Sequence, residues 1–452
     1  MTSPMTPTMT LPITALVPTF RRPAMLAEAL DSILAVPRPP AQVLVIDDGS
    51  GDATETVVGR YGGRVEYVAQ RNAGKSVALN RGLALAREPY VWVFDDDDIA
   101  TPHGIGALHD ALERRPDVGF AYGLLDQFDG AWPAPVTEPL ECYRASDRAA
   151  LYTKLCQDFF LWQGASLVRR SAFDAVGPFD ERFTRSQDYQ MALRLLRAFP
   201  AVAVPTVVFH QRQHAGDRGP RRASVKARDV EKAWTRFNHL MFTEVHASHA
   251  LDEFVVGSAG EPLGERDRAT ALLQRGAIMA RKGLWDLAGP DMAAAGAILR
   301  RLGATTLPAQ ETAALRVVFE HGARSWFAST AEAVAFARTT RAFGPALGRE
   351  VRGNLLLPIT HRARHWAGRP NRVAEARQIA RVTFAFARWG ALDPYMRARR
   401  TPMVGYGIER VEPLAPPLAP PLAPSRIRTA RPSGAGTVTR AATSTNRNVP
   451  SV

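Results

Sequence analysis

Over the first 125 residues, short runs that are apolar almost throughout alternate with stretches whose apolar positions recur every three or four residues. ITALVPTF (13–20), QVLVIDD (42–48), VEYVAQ (65–70) and YVWVFDD (90–96) have the first character and predict strands. AMLAEALDSILA (24–35), DATETVVGRYG (52–62), KSVALNRGLALA (75–86) and residues 103–114 have the second and predict helices, with Asp52 placed to cap the second of them. A strand that is apolar on both faces must be covered on both, so the pattern predicts an α/β fold built on a mainly parallel sheet. FAYGLLDQF (120–128) adds a strand of mixed orientation, and 165–197 hold one more strand and a long helix.

In such sheets the ligand crevice lies beyond the carboxyl ends of the strands. Three of these ends are polar: PTFRR after the first strand, IDDGSGD after the second, FDDDD after the fourth. Four adjacent aspartates repel one another, and Asp is a poor strand former. Such a run either faces water or offers hard oxygen ligands to a divalent cation, which in turn neutralises bound phosphate. Its place after an apolar strand, on the edge where the other polar loops converge, favours the cation. Asp47 and Asp48 end the second strand beside glycines that permit a tight turn. A carboxylate there can accept from a nucleobase N–H or a ribose hydroxyl, or simply form a local turn. Phe20 can stack on a base or belong to the core. No Gly-x-Gly-x-x-Gly follows the first strand, which disfavours a dinucleotide-binding enzyme.

From 226 to 400 the chain reads as helical and Ala-rich, and 272–299 has the helix–turn–helix spacing of a single tetratricopeptide unit. Residues 401–452 contain LAPPLAPPLAP and an Arg/Ser/Thr/Ala-rich end, a composition that predicts polyproline II and disorder. The formal charge is +13, and the 18 arginines and 5 acidic residues from Arg349 onward account for all of it. This basic end suits an anionic membrane surface or a solvated tail, and RHWAGRPNRVAEARQIARVTFAFARWG has the mixture of Arg and aromatic residues for peripheral docking. The neutral balance of the first 348 residues argues against nucleic-acid binding as the main task. No apolar run is long enough for a transmembrane helix, and the N-terminus lacks the pattern of a signal peptide. Two cysteines, Cys142 and Cys156, form no disulfide framework or metal spacing, and the expected location is cytoplasmic, with contact at the inner membrane face.

Taken together, ALVPTFRRPAMLAEALDSIL, VLVIDDGSGDAT, RNAGKSVALNRGLALA and VWVFDDDDIATP resemble the nucleotide-binding half of glycosyltransferase family 2, whose fold is GT-A. WQGASLVRRSAFDAVGPFDERFTRSQDYQMALRLL (162–196) resembles its acceptor half. The resemblance implies a glycosyltransferase domain over 11–225, with a nucleotide-binding half (11–125) and an acceptor half (126–225). It implies that Pro18, Thr19, Phe20 and Arg21 lie against base and ribose, that Asp48 binds the base, and that Lys75 lies near the diphosphate. Asp97 is implied as a metal ligand, Asp95 as a ribose contact and ligand, and Asp98 as support, around Mn²⁺ or Mg²⁺. Asp188 matches the family's general base, with Gln187 where a Glu is usual; the lesser reading, as a plain sequence feature, is a helix cap. His214 and Arg212, in FHQRQHAGDRG, fall where the family often has residues that touch metal or diphosphate. The implied reaction is inverting transfer of a hexose from a UDP- or dTDP-linked donor to a glycan, lipid-linked or other cell-envelope hydroxyl. The rival readings are a non-catalytic nucleotide-sugar or glycan-binding protein with a docking tail, and a sugar-phosphate nucleotidyltransferase. The second would need a Gly-rich loop after the first strand, and VPTFRRPAM has no glycine.

Overall fold

A computed structural model describes residues 9–213, 230–255, 257, 262–320, 327, 329–364, 372–387 and 408–414. Strands β1 (Leu11–Thr19), β2 (Pro40–Asp47), β3 (Glu66–Ala69) and β4 (Tyr90–Val93) alternate with helices α1 (Pro23–Ala35), α2 (Thr54–Gly59) and α3 (Lys75–Leu85). They pair in parallel in the order β3-β2-β1-β4. The chain continues through β5 (Ile99–Ala100), α4 (Gly104–Arg114), β6 (Phe120–Asp129), β7 (Tyr143–Ala145), α5 (Arg148–Gln157), β8 (Ser166–Arg169), α6 (Arg170–Val176), α7 (Gln187–Ala198) and β9 (Ala201–Gln213). β8 enters between β4 and β6, antiparallel to both, while β6 and β9 run parallel, giving the order β3-β2-β1-β4-β8-β6-β9-β5.

The alternation along β1 shows why both sheet faces carry helices. Ile13, Ala15 and Val17 belong to one core with Leu26, Leu30, Ile33, Leu108 and Leu112, under α1 and α4. Leu16 points the other way, into a second core with Leu79, Val93, Phe179 and Tyr189. That second core runs on without a break into the C-terminal helices, through Phe237, Phe242, Leu273 and Ile278. Fully burying a large apolar side chain contributes about 2 kcal/mol, so this shared core binds the helices firmly to the sheet.

Those helices are α8 (Val230–Ser248), α9 (Glu265–Arg281), α10 (Trp285–Arg301), α11 (Ala309–Val317), α12 (Thr330–Thr339), α13 (Pro345–Arg364) and α14 (Arg372–Ala387). The helix–turn–helix spacing at 272–299 corresponds to α9 and α10, joined at Lys282–Leu284. β10 (Ile408–Arg410) pairs antiparallel with β7. No described helix is long and apolar enough to cross a membrane.

Three details depart from the sequence reading. β4 ends at Val93 rather than continuing into the acids, because the following residues leave the ladder to reach β5. Ala53, not Asp52, is the N-cap of α2, although Asp52 accepts the Thr54 backbone N–H at 2.9 Å. α13 buries Leu347, Val351, Leu355 and Ile359, so this face of the basic stretch is core. Residues 415–452 lie outside the described residues.

Candidate active site

A cavity of about 590 Å³ opens beyond the carboxyl ends of β1, β2 and β4. Asp95 to Asp98 form its floor. Asp95, Asp97 and Asp98 each bring a carboxylate oxygen within 4.8 Å of the others. Burial, reinforced by Asp97, pushes the Asp96 carboxyl up to about 6, against the pull of Arg22 and Thr19. Burial, with Asp97 and Asp95 beside it, pushes Asp98 well above the usual carboxylate range. Hard oxygen donors in excess of the local positive charge are what a divalent cation requires, and this set fits one.

Three cations hold the run in place. Arg22 Nη1 bonds Asp97 at 2.6 Å and Asp96 at 3.1 Å, while the Thr19 hydroxyl donates to Asp96 at 2.7 Å. Lys75 Nζ lies 2.5 Å from Asp95. Arg212, 4% exposed, donates its backbone N–H to Asp98 at 3.0 Å and its Nε to the Asp97 carbonyl at 2.9 Å; its Nη2 pairs with Glu28. It holds the loop from behind. β9 places it there by pairing with β5, immediately after the acids.

Asp48 is committed to the protein itself. Its two oxygens accept from the Gln70 and Asn72 side chains and from the Ala73 and Gly74 backbone N–H groups, at 2.8 to 3.0 Å. A carboxylate offers about four acceptor positions, and all four are used. Asp48 thereby sets the loop that delivers Lys75. Gly49, at φ 80°, makes this possible, since a Cβ there would come within 2.8 Å of the Asn72 nitrogen. Asp47 is likewise structural, accepting from Ser50 and, at 2.6 Å, from the Tyr67 hydroxyl.

On the far side, α7 begins with Gln187 and Asp188 after Ser186, whose φ of 59° is left-handed. Burial pushes Asp188 up, and the charge of Lys75 partly offsets this. Lys75 therefore acts electrostatically on the acid run and on Asp188 together. The remaining wall comes from Gln157, Asp158, Phe159, Trp162, Gln163 and Arg185, and from Trp234, Asn238, Arg281 and Lys282 of the C-terminal helices. Arg281 pairs with Asp158 at 2.6 Å, and Lys282 donates to the Gln157 carbonyl at 2.9 Å and the Tyr189 hydroxyl at 3.2 Å.

Of the residues named from the sequence, Pro18, Thr19, Phe20, Asp48, Lys75, Asp95, Asp97, Asp98, Asp188 and Arg212 all line this cavity. Arg21 does not. Its backbone N–H and Nε bond Ser50, and its guanidinium lies 5.2 Å from the Phe20 ring. Arg22, which the sequence reading passed over, is the one that reaches the acids. His214 lies outside the described residues. The aromatic residues of DFFLW and the four residues from α8 and the α9–α10 turn were also missed; of these, only the aromatic density of DFFLW was a visible signal. Cys142 and Cys156 are buried free thiols, pushed up to about 12 by burial, and play no part in the site.

The family model for Glycosyl transferase family 2 matches residues 14–177. An N-acetylglucosaminyl-diphospho-decaprenol L-rhamnosyltransferase of Mycobacterium tuberculosis is 31% identical over 243 residues, covering 46% of this chain and 78% of its own. An uncharacterized glycosyltransferase of Rickettsia prowazekii is 26% identical over 237 residues, covering 50% of this chain and 71% of its own. One of Rickettsia felis is 25% identical over 244 residues, and the match spans 39% of that longer protein. Among solved structures, Staphylococcus aureus TarS 1–349 aligns over 84% of this chain and 91% of its own at 14% identity, with a TM-score of 0.42. The match to the rhamnosyltransferase over most of its length, and the family pattern on the strands that build the cavity floor, have one reading: this chain belongs to glycosyltransferase family 2.

Proposed function

We propose that this protein transfers a sugar from a nucleoside-diphosphate donor, UDP- or dTDP-linked, to an acceptor hydroxyl with inversion, and that the transfer depends on a divalent cation. The observation that carries the reading is the cavity itself, where three clustered carboxylates and a separate, desolvated one face the same space with Lys75 between them. Asp95, Asp97 and Asp98 would hold Mn²⁺ or Mg²⁺. Bound there, the cation would neutralise the diphosphate as it leaves. Lys75 contributes a second positive charge to that leaving group. Phe20, with Pro18 and Thr19, offers the surface for base and ribose at the end of β1.

Asp188 accepts the proton of the attacking hydroxyl. Its environment suits the task, because burial raises its basicity while the charge of Lys75 partly offsets that rise. The two carboxylate sets stay distinct, one holding a cation and one free to take a proton. The rhamnosyltransferase relative acts on a lipid diphosphate-linked sugar, which supports an acceptor of the same kind, presented at the inner face of a membrane.

The test is nucleotide release from a panel of UDP- and dTDP-sugars, with and without Mn²⁺, for the wild type and Asp188→Asn. The variant should retain nucleotide-dependent thermal stabilisation and lose transfer by about 100-fold or more. Transfer at the wild-type rate in Asp188→Asn would remove the assignment of the base.

A further inference from the structure

We infer that the wall formed by Phe159, Trp162, Gln163, Gln187, Trp234 and Asn238 is an acceptor subsite for a neutral pyranose ring, and that Gln187 orients the hydroxyl from which Asp188 takes a proton. The inference rests on the transferase reading above and assigns the residues that receive the acceptor's sugar ring.

Gln187 is 8% exposed, lines the cavity, and its amide oxygen is buried without a hydrogen-bond partner. The Gln163 amide oxygen, on the same cavity, is also buried without one. Leaving a buried acceptor unpaired costs about 1–3 kcal/mol, and native proteins leave few such groups. Two in one cavity, one of them adjacent to Asp188, point to donors that arrive with a ligand. The turn that presents them adds to this. Ser186 adopts a left-handed conformation that costs a non-glycine residue about 1 kcal/mol or more, and in doing so it makes Gln187 and Asp188 the first two residues of α7.

The rest of the wall indicates what arrives. The Phe159 and Trp162 rings lie 4.9 Å apart, and Phe159 lies 4.9 Å from Tyr189, so an aromatic surface leads directly to α7. α8 adds Trp234 and Asn238, one turn apart on one face. A pyranose presents a C–H face that packs on aromatic rings and a rim of hydroxyls that both donate and accept. A carboxamide also does both, and the subsite supplies three: Gln163, Gln187 and Asn238. These residues themselves carry no charge to meet a charged ring. Around them Asp158, Arg281 and Lys282 are engaged with one another and with backbone carbonyls, and Arg185 has contacts within the protein, although its buried Nε makes no hydrogen bond. An amide at 187 also spares Asp188 a second negative neighbour.

The test uses saturation-transfer NMR on the full chain with diamagnetic Mg²⁺ and either UDP or dTDP. The probes are the methyl pyranosides of glucose, galactose, N-acetylglucosamine and rhamnose, with methyl glucuronide as the anionic member. At least one neutral pyranoside should receive saturation at its ring C–H protons, and methyl glucuronide should receive less. Gln187→Met, which keeps shape and removes hydrogen bonding, and Trp162→Ala should each weaken that binding by about tenfold, equivalent to about 1.4 kcal/mol. Nucleotide-dependent thermal shifts should persist in both variants, showing that each has folded. With a working donor, Gln187→Met should raise the acceptor KM more than it lowers kcat. Binding of no neutral pyranoside, binding of the glucuronide alone, or wild-type binding by Gln187→Met would overturn the subsite. Absence of any nucleotide shift in the wild type would instead overturn the transferase reading beneath it.

Discussion

Two clusters of buried charge face the same cavity and are built on opposite plans. Asp95 to Asp98 bring four acids together against Arg22, Lys75 and Arg212, and burial leaves at least Asp96 and Asp98 reluctant to ionise. Across the cavity, Asp158 meets Arg281 and Lys282. Burial alone would raise its carboxyl, but Arg281, with Lys154 and Lys282, outweighs burial and holds it below the usual range. There Arg281 and Lys282 are also directed at backbone carbonyls and a hydroxyl. One cluster gathers acids that repel one another; in the other a single acid meets cations whose donors are taken up by the protein itself. A satisfied network rigidifies the fold, while a self-repelling set of acids marks the place where a counter-ion adds stability.

Substitutions should separate the two. The largest effect expected is on activity: Asp97→Asn should lower Mn²⁺-dependent transfer by about 100-fold or more. In EDTA the same variant should melt at the wild-type temperature or above, because it removes one charge from a self-repelling set. A large drop in melting temperature would mean that the acids are needed for folding, and the contrast would collapse. Next, Arg281→Met should do the reverse, costing about 3 kcal/mol in urea unfolding by removing the closest cation from Asp158 and the guanidinium donor from the Val317 carbonyl. If its stability were unchanged, the Asp158 cluster would not be the structural one.

The smallest effect expected is a pH dependence. With its folded value raised to about 6, Asp96 takes up a proton on folding at mildly acidic pH, so its contribution is favourable below its ordinary value and is lost as pH rises through 6. The EDTA-treated protein should lose about 1.4 kcal/mol between pH 5 and 7.5 from this source, and Mn²⁺ should flatten the slope. A rise in stability over that interval without metal would contradict the surplus-charge account.

The nucleotide-binding half was largely legible in the sequence because its information is local. Apolar runs such as QVLVIDD and the amphipathic repeat of AMLAEALDSILA report burial directly, and polar strand ends in a parallel sheet have only one place to gather. Arg22 and Asp48 show where that legibility ends. Two adjacent arginines in PTFRR look alike, and only the left-handed turn at Arg21, φ 57°, sends one to Ser50 and the other to the acids. The acceptor wall was hidden for a different reason. Trp234, Asn238, Arg281 and Lys282 occupy helices whose periodicity announces packing, and nothing local to them encodes that α9 ends at the cavity.

The clamp on the acidic loop also bears on how the molecule is made. Asp97 and Asp98 are held by Arg212, more than 110 positions later, through a strand pair that joins Ile99 to His210. A nascent chain that has delivered only β1 to β5 can already pair Asp95, Asp96 and Asp97 with Lys75, Thr19 and Arg22, but the Asp98 carboxylate still lacks the Arg212 backbone N–H. Closing so long a loop is entropically slow. During vectorial synthesis this last contact forms only after β9 emerges, which makes it a marker of a finished sheet.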